Sequence, residues 1–207
     1  MDEKKQTVTE CLDVISARKS IRAFRRDETP SRHTIRRIMN TGASAPWVSH
    51  DDEPPVRFIA TDDPGLIKSI ANSIDPEDPG DPDHLPPDAE GFNPLTYFKN
   101  APWVIVVLSK IPDPEAAPDE RQDSINYDMT VSTGAAIGAI LSAVQLAGLA
   151  ASWIGSFTAS AGRRVDGTER LLGVKSPWRV HSIIPVGYAA EAGRVLTYDR
   201  ESVTEFR

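Results

Sequence analysis

The run WVIVVL at residues 103–108 decides the fold, because it is apolar at every position and mostly β-branched. A strand with one solvated face alternates apolar and polar side chains, whereas a strand buried on both faces reads as a continuous apolar run. We therefore predict a fully buried strand here.

The sequence on either side supplies the other strands. VRFIA at residues 56–60 and HSIIPVGY at residues 181–188 are also rich in β-branched residues, and residues 150–154 predict a short strand. Helices and strands mix without the regular alternation of a doubly wound parallel sheet. The pattern therefore favours an α+β fold.

Apolar residues at helical spacing predict the helices. They cover residues 8–17, 31–42, 64–74, 127–146 and 163–172. Thr7 and Ser31 are the expected N-caps of the first two, and Gly42, Gly148 and Gly173 are expected to end the second, fourth and fifth. The first helix delivers Arg18 at its exit.

Length, charge and cysteine content limit the class of protein. A chain of 207 residues fits a single domain over 1–207, and a net charge of -7 argues against nucleic-acid binding, which needs many Lys and Arg residues. Cys11 is the one cysteine, predicted to be inert core on the first helix, so a disulfide is excluded and a reducing cytoplasm is expected. Residues 134–157 predict a buried helix and strand, not a membrane span.

Two segments lie outside this pattern. Aspartates and prolines dominate an excursion at residues 75–94, which we expect to be extended and solvated, and residues 189–207 read as a polar tail. Long loops are often binding sites, so the excursion is a candidate for function.

A local basic cluster stands out in this acidic chain. Arg18, Ser20 and Arg22 follow the first helix at alternate positions, so extended backbone would place all three on one side. Two planar guanidinium groups and a hydroxyl suit a phosphorylated ligand. The alternative is a solvated basic turn, because such runs are common on surfaces.

Other kinds of site are poorly supported. The four histidines show no shared metal-ligand spacing, so no metal site is predicted. The G-x-S-x-G elbow, the P-loop and the G-x-G-x-x-G fingerprint are all missing, which argues against the common hydrolase and nucleotide motifs.

The order of several weak motifs resembles the nitroreductase family from residue 11 to about residue 200. The motifs are R-x-S-x-R-x-F at 18–24, Ala45 and Pro46, GAAI at 134–137, LAASWIG at 149–155 and IPVGY at 184–188. The resemblance implies a mixed, mainly antiparallel sheet surrounded by helices. It also implies an intertwined homodimer with FMN at the subunit interface.

The resemblance assigns site residues by position. It implies that Arg18, Lys19, Ser20 and Arg22 hold the FMN phosphate, the ribityl chain and the N1/O2 edge of the ring. Ile154, Gly155 and Ser156 would lie along the ring, and Arg194 would complete the phosphate site. Pro46, Trp47, Val48 and His50 would approach the ring, although this loop departs from the family's pattern: His50 stands nearest the family's Asn.

The implied activity needs no catalytic side chain, because the flavin carries the chemistry. Hydride from NAD(P)H would pass through flavin N5 to a small acceptor such as a nitroaromatic or a quinone. The altered loop at 47–53 keeps a second hypothesis open, a flavin-binding or regulatory protein without turnover. A third is a cofactor-free homodimer built on the small-residue helix that starts near Gly134.

Overall fold

The structure is a computed structural model. It describes residues 2–48, 53–75, 96–111, 119–155, 165–193 and 203, without the side chains of residues 2–6 and 119–122. Most of the predicted excursion at 75–94 and of the tail at 189–207 therefore lies outside the described residues, as do His50, Ser156 and Arg194.

Helices and strands follow one another along the described chain. They are α1 Asp2–Ser16, α2 Arg32–Ala43, β1 Val56–Thr61, α3 Pro64–Ile74, a 3₁₀ turn Tyr97–Asn100, β2 Trp103–Lys110, α4 Asp119–Leu146, β3 Ala150–Ala151, α5 Asp166–Leu172 and β4 Trp178–Gly187. The strands form one sheet in the order β1-β2-β4-β3, with antiparallel neighbours. A single parallel bridge joins Ser20 to Ala151. The predicted α+β class is confirmed.

Helices cover both faces of β2, which the sequence predicted to be fully buried. Val104 and Val106 pack with the core residues of α3, and Ile105 and Val107 pack with those of α2 and α4. Successive side chains of a strand point to opposite faces, so this division follows from the pleat. The continuous apolar run is thus explained by two separate cores, one on each side of the sheet.

The end predicted for the second helix is wrong. Ser31 caps α2 as expected, accepting a hydrogen bond from the Thr34 backbone N–H at 3.1 Å, but the helix continues past Gly42 to Ala43. Gly42 lies where α2 meets Ile140 of α4, and an added Cβ would come within 2.5 Å of the Ile140 Cγ1. Gly42 therefore permits close helix packing and does not end the helix.

Other boundaries differ from the predicted ones because polar residues extend the helices beyond the residues that show apolar periodicity. Thr7 is inside α1, which begins at Asp2, and α4 begins at Asp119, before the predicted residue 127. The predicted strand at 150–154 divides into β3 and an isolated bridge from Ile154 to Ile183. Gly173 ends α5 in the left-handed region, with φ 65°, as predicted.

The prediction that Cys11 is buried is wrong. Cys11 is exposed, because α1 contacts α4 and leaves much of its apolar face uncovered in the single chain. Val8 and Leu12 on the same helix are each 59% exposed. The apolar periodicity of α1 was therefore identified correctly, but the partner for that face is not within the described part of this chain.

The segment Asp123–Leu146 of α4 is long and apolar enough to cross a membrane by length and composition alone. Ile137, Ile140 and Val144 of this helix are nevertheless buried against the sheet and α2. One side of the helix is therefore in the core, as the sequence predicted, but only 39% of its most apolar stretch is buried within the single chain.

Replacing Gly42 by Ala should test the packing of α2 on α4. We expect the free energy of unfolding to fall by about 1–3 kcal/mol, the usual cost of overpacking a filled core. Ile140 is fully buried and cannot move aside freely. Urea denaturation followed by circular dichroism measures the change. Asn40→Ala, on the exposed side of the same helix, is the control, and equal stability of the Gly42 variant and the parent would contradict the packing.

Candidate functional site

The basic segment runs beside the edge strand of the sheet. The Ile21 backbone N–H donates to the Ala151 carbonyl at 3.0 Å, and Ser20 forms its bridge to the same residue. Arg18, Ser20 and Arg22 are half-buried. The backbone of the segment is thereby fixed by β3, while its polar side chains keep access to solvent.

The segment that follows β4 holds the basic segment from its other end. Glu191 Oε1 accepts hydrogen bonds from the backbone N–H groups of Arg22 at 2.7 Å and Ala23 at 3.3 Å. Lys19 Nζ donates to the Ala192 carbonyl at 3.3 Å. Sequence reasoning missed Glu191, since nothing near it distinguishes this glutamate from a solvated one.

Lys19 lies on a different side of the segment from the two arginines. Ala17, Lys19 and Ile21 line a pocket of about 290 Å³ against the end of α4 and residues 189–192, and Arg18, Ser20 and Arg22 do not line it. This is the alternation expected of extended backbone. Of the four polar residues only Lys19 lines this pocket, and the convergence of Arg18, Ser20 and Arg22 on one side stays a prediction.

The loop after β3 is held by three successive residues. Ser152 forms a hydrogen bond with the Tyr97 hydroxyl, and Trp153 Nε1 donates to Ser182 Oγ at 2.8 Å. Ile154 exchanges backbone hydrogen bonds with Ile183, at 2.9 and 3.1 Å. Three different partners therefore fix this loop beside the basic segment.

Gly155 follows this loop at an open position. An added Cβ would meet only Trp153 atoms, at 3.5 Å or more, which is ordinary contact distance. Packing within the described chain does not demand a glycine here. An exposed glycine backbone does allow a planar ligand to come close, as predicted for this residue.

His181 lies at an irregularity of the sheet next to the same loop. The register of β2 and β4 shifts between Val107 and Leu108, so His181 has no paired residue in β2. Its Nδ1 lies 2.8 Å from Ser182 Oγ, the hydroxyl that accepts from Trp153. Burial lowers the pKa of His181, so its imidazole is neutral at neutral pH.

Tyr97 contacts both parts of the site. The Arg22 guanidinium carbon lies 6.0 Å from the centre of the Tyr97 ring, and the Tyr97 hydroxyl is bonded to Ser152. Burial raises the pKa of Tyr97, and the phenol is therefore neutral. Sequence reasoning missed this residue because it follows a long segment without recognisable structure.

The loop after α2 is attached to a distant part of α4. The Val48 backbone N–H donates to Ser132 Oγ at 3.0 Å. Ser132 and Gln145, which lines the pocket beside Lys19, are 13 residues apart in α4, or about 20 Å at 1.5 Å per residue. Trp47 is half-buried and Pro46 and Val48 are exposed. The part of α4 that holds this loop is therefore far from the part of α4 that lies beside Lys19.

Metal chemistry finds no support in the described residues, where no three His, Cys, Asp or Glu side chains converge. Arg18, Ser20 and Arg22 lie in one segment beside the loop that ends at the open backbone of Gly155, and guanidinium groups with a hydroxyl suit a phosphorylated ligand.

The family is decided by a match over most of the chain. The model of the Nitroreductase family matches residues 15–188. The chain belongs to the nitroreductase family. This match contains both the basic segment and the loop after β3, and the family supports the general class of FMN-dependent oxidoreductase.

Solved structures share the nitroreductase fold. A Bacteroides thetaiotaomicron protein is 21% identical, with a TM-score of 0.67 over 95% of this chain and 96% of its own. Its name assigns it provisionally as an NADH dehydrogenase/NAD(P)H nitroreductase. An FMN-dependent nitroreductase from Clostridium difficile is 19% identical, with a TM-score of 0.64 over 92% of each chain. Iodotyrosine deiodinase bound to FMN and 3-iodo-L-tyrosine is 22% identical, with a TM-score of 0.65 over 95% and 98%. Likeness at these identities establishes the fold.

Glu191→Ala should destabilise the basic segment of this nitroreductase-family chain. Two backbone N–H groups would lose their acceptor, so we expect a loss of about 1–3 kcal/mol in the free energy of unfolding. Glu191→Gln keeps an acceptor oxygen and should lose less. Urea titrations of both variants measure the difference, and an equal loss in the two would contradict the role of Oε1.

Proposed function

We propose that this protein is an FMN-dependent oxidoreductase that transfers hydride from NAD(P)H through flavin N5 to a small organic acceptor such as a nitroaromatic or a quinone. The observation that carries the proposal is the position of Arg18, Ser20 and Arg22 beside β3, whose continuation forms the loop to Gly155. A ligand that contains a phosphate group and a planar ring system needs a cationic segment for the phosphate next to an open backbone for the ring.

The residues present fit FMN. Arg18 and Ser20 would bind the phosphate and the ribityl chain through charge-assisted hydrogen bonds. Arg22 would lie at the N1/O2 edge, where a cation stabilises the negative charge of the reduced ring. The backbone at Ile154 and Gly155 would lie along the ring. When bound, FMN supplies the hydride chemistry, while the protein binds and orients it.

The names of similar structures agree with this proposal. One is described as an FMN-dependent nitroreductase, another was solved with FMN bound, and a third carries NADH and NAD(P)H in its name. Ser156 and Arg194 stay predictions for the ring and phosphate sides. The physiological acceptor and the choice between NADH and NADPH are set by residues that line the substrate face.

A homodimer would cover the apolar residues that the single chain leaves exposed. Val8 and Leu12 of α1 and Tyr127 and Val131 of α4 are 46–70% exposed. α1 contacts α4, so these residues belong to neighbouring helices. Apolar clusters of this kind usually mark an interface. Val48 is bonded to Ser132, about 20 Å along α4 from Gln145, which lines the pocket beside Lys19. This separation is also explained if the loop at 46–48 approaches the flavin of the second copy.

A single domain over 1–207 in the cytoplasm completes the proposal. The alternative, a flavin-binding or regulatory protein without turnover, rests on the altered loop at 47–53. Glu53, its described acidic residue, is exposed and lies 3.8 Å from Arg57, so its charge is partly compensated.

The visible spectrum after FMN addition tests the binding site. We expect the parent protein to retain FMN, and Arg18→Ala or Arg22→Ala to weaken its Kd about 10- to 150-fold, the cost of losing a hydrogen bond to a charged group. Arg37→Ala, an exposed arginine of α2, is the matched control. A parent chain that binds no FMN would overturn both the enzyme and its non-enzymatic alternative. Anaerobic NADH or NADPH should then bleach the flavin, and a flavin that stays oxidised with both donors would favour the alternative.

Leu12→Glu should disrupt the dimer. The parent should sediment as a dimer and the variant should shift towards the 22.6 kDa monomer. The reason is that burying an unpaired charge in an apolar interface has a large free-energy cost. Leu171→Glu on α5, also an exposed leucine, is the matched control and should stay dimeric. A monomeric parent protein at micromolar concentration would rule out this assembly.

A further inference from the structure

Tyr97 lies where the two halves of the candidate flavin site meet. The basic segment and the loop after β3 come from distant parts of the sequence, and Tyr97 comes from a third part. Its ring faces the Arg22 guanidinium at 6.0 Å and its hydroxyl is bonded to Ser152. One side chain therefore contacts both the predicted pyrimidine side and the loop predicted to lie along the ring.

The backbone of Arg22 is held by a hydrogen bond, whereas the conformation of its side chain needs a further contact. Glu191 holds the Arg22 backbone N–H, but a long arginine side chain keeps several rotamers unless a further contact selects one. Among the contacts of the described residues, the face of the Tyr97 ring is what locates the guanidinium. A cation over an aromatic face is held electrostatically at about this distance.

The loop depends on the Tyr97 hydroxyl at its first residue. Ser152 is 1% exposed, so its hydroxyl needs a partner within the protein. Trp153 and Ile154 are held by Ser182 and Ile183 of β4, whereas Ser152 is held by Tyr97. The hydroxyl thus connects the loop to the residue that locates Arg22.

We propose that Tyr97 is a positioning residue that sets the Arg22 guanidinium relative to the loop at 152–155, and so tunes the preference of the site for reduced over oxidised FMN. The proposal rests on the proposed function. Arg22 acts on the charge of the reduced ring, and Tyr97 acts through Arg22. Tyr97 itself is not given a role in proton or hydride transfer.

Two substitutions separate the hydroxyl from the ring. Tyr97→Phe keeps the aromatic face but loses the bond to Ser152, and it should weaken the Kd for FMN about 2- to 10-fold. Tyr97→Leu loses the aromatic face as well. It should also lower the ratio of the affinities for reduced and oxidised FMN about two- to fivefold, the value of a cation–π contact.

The experiment measures FMN Kd by fluorescence quenching and the flavin reduction potential by anaerobic titration. Ser152→Ala should reproduce the Kd of Tyr97→Phe, and the double variant should be no weaker than either single one, because both remove the same bond. Tyr188→Phe is the matched control, since Tyr188 packs with the core on the α2 and α4 side of the sheet. It should leave both readouts unchanged.

The outcomes are distinguishable. A parent protein that binds no FMN overturns the proposed function and this inference together. A parent that binds FMN, with Tyr97 variants of unchanged Kd and affinity ratio, overturns the inference alone. Tyr97 variants that only unfold at lower temperature, with both flavin readouts unchanged, would show a purely structural role and also overturn it.

Discussion

Burial of β2 on both faces is the constraint on which the rest of the structure depends. Residues 103–108 are all buried, so each face of the sheet must carry its own layer of helices. α2 and α4 form one layer and α3 contributes to the other. With β1 and β4 on either side of β2, the remaining edge of the sheet is taken by β3 and by the segment around Ser20. The candidate site is located at that edge because the interior of the sheet leaves no room for one.

In the candidate site, backbone groups form the hydrogen bonds that hold the segments in place, and side chains are left for the proposed ligand. The backbone N–H groups of residues 21–23 donate to Ala151 and Glu191, and the Ala23 carbonyl accepts from Ala190, so these contacts do not use the side chains of Arg18, Ser20 and Arg22. The loop after β3 follows the same division: its residues are tied to Tyr97, Ser182 and Ile183, and Gly155 is left open. An acidic chain can in this way keep a local cationic site, because the backbone that carries the arginines is held by hydrogen bonds that do not involve their guanidinium groups.

The sequence was most informative where a local pattern determines structure. The apolar run of β2, the bounds of α3 and the cap at Ser31 follow from short-range rules. It failed where the cause lies elsewhere in the chain: Gly42 is explained only by Ile140, and the roles of Glu191 and Tyr97 only by partners far away in sequence. Cys11 was misplaced because apolar periodicity shows that a face will be covered, but not by what. His50, Ser156 and Arg194 fall outside the described residues and stay predictions.

The hydrogen bonds from residues 22 and 23 to Glu191 span 169 and 168 positions of the chain. During synthesis the basic segment is made well before Glu191, the residue that fixes its backbone. Contacts of such separation form late in folding, after the loop-closure entropy has been overcome by other packing. The basic segment therefore lacks this backbone support until the chain has been made as far as Glu191. The arrangement proposed to bind the flavin can form only after residue 191 has been made, and a chain truncated before Glu191 would retain the core strands without the hydrogen bonds that hold residues 22 and 23.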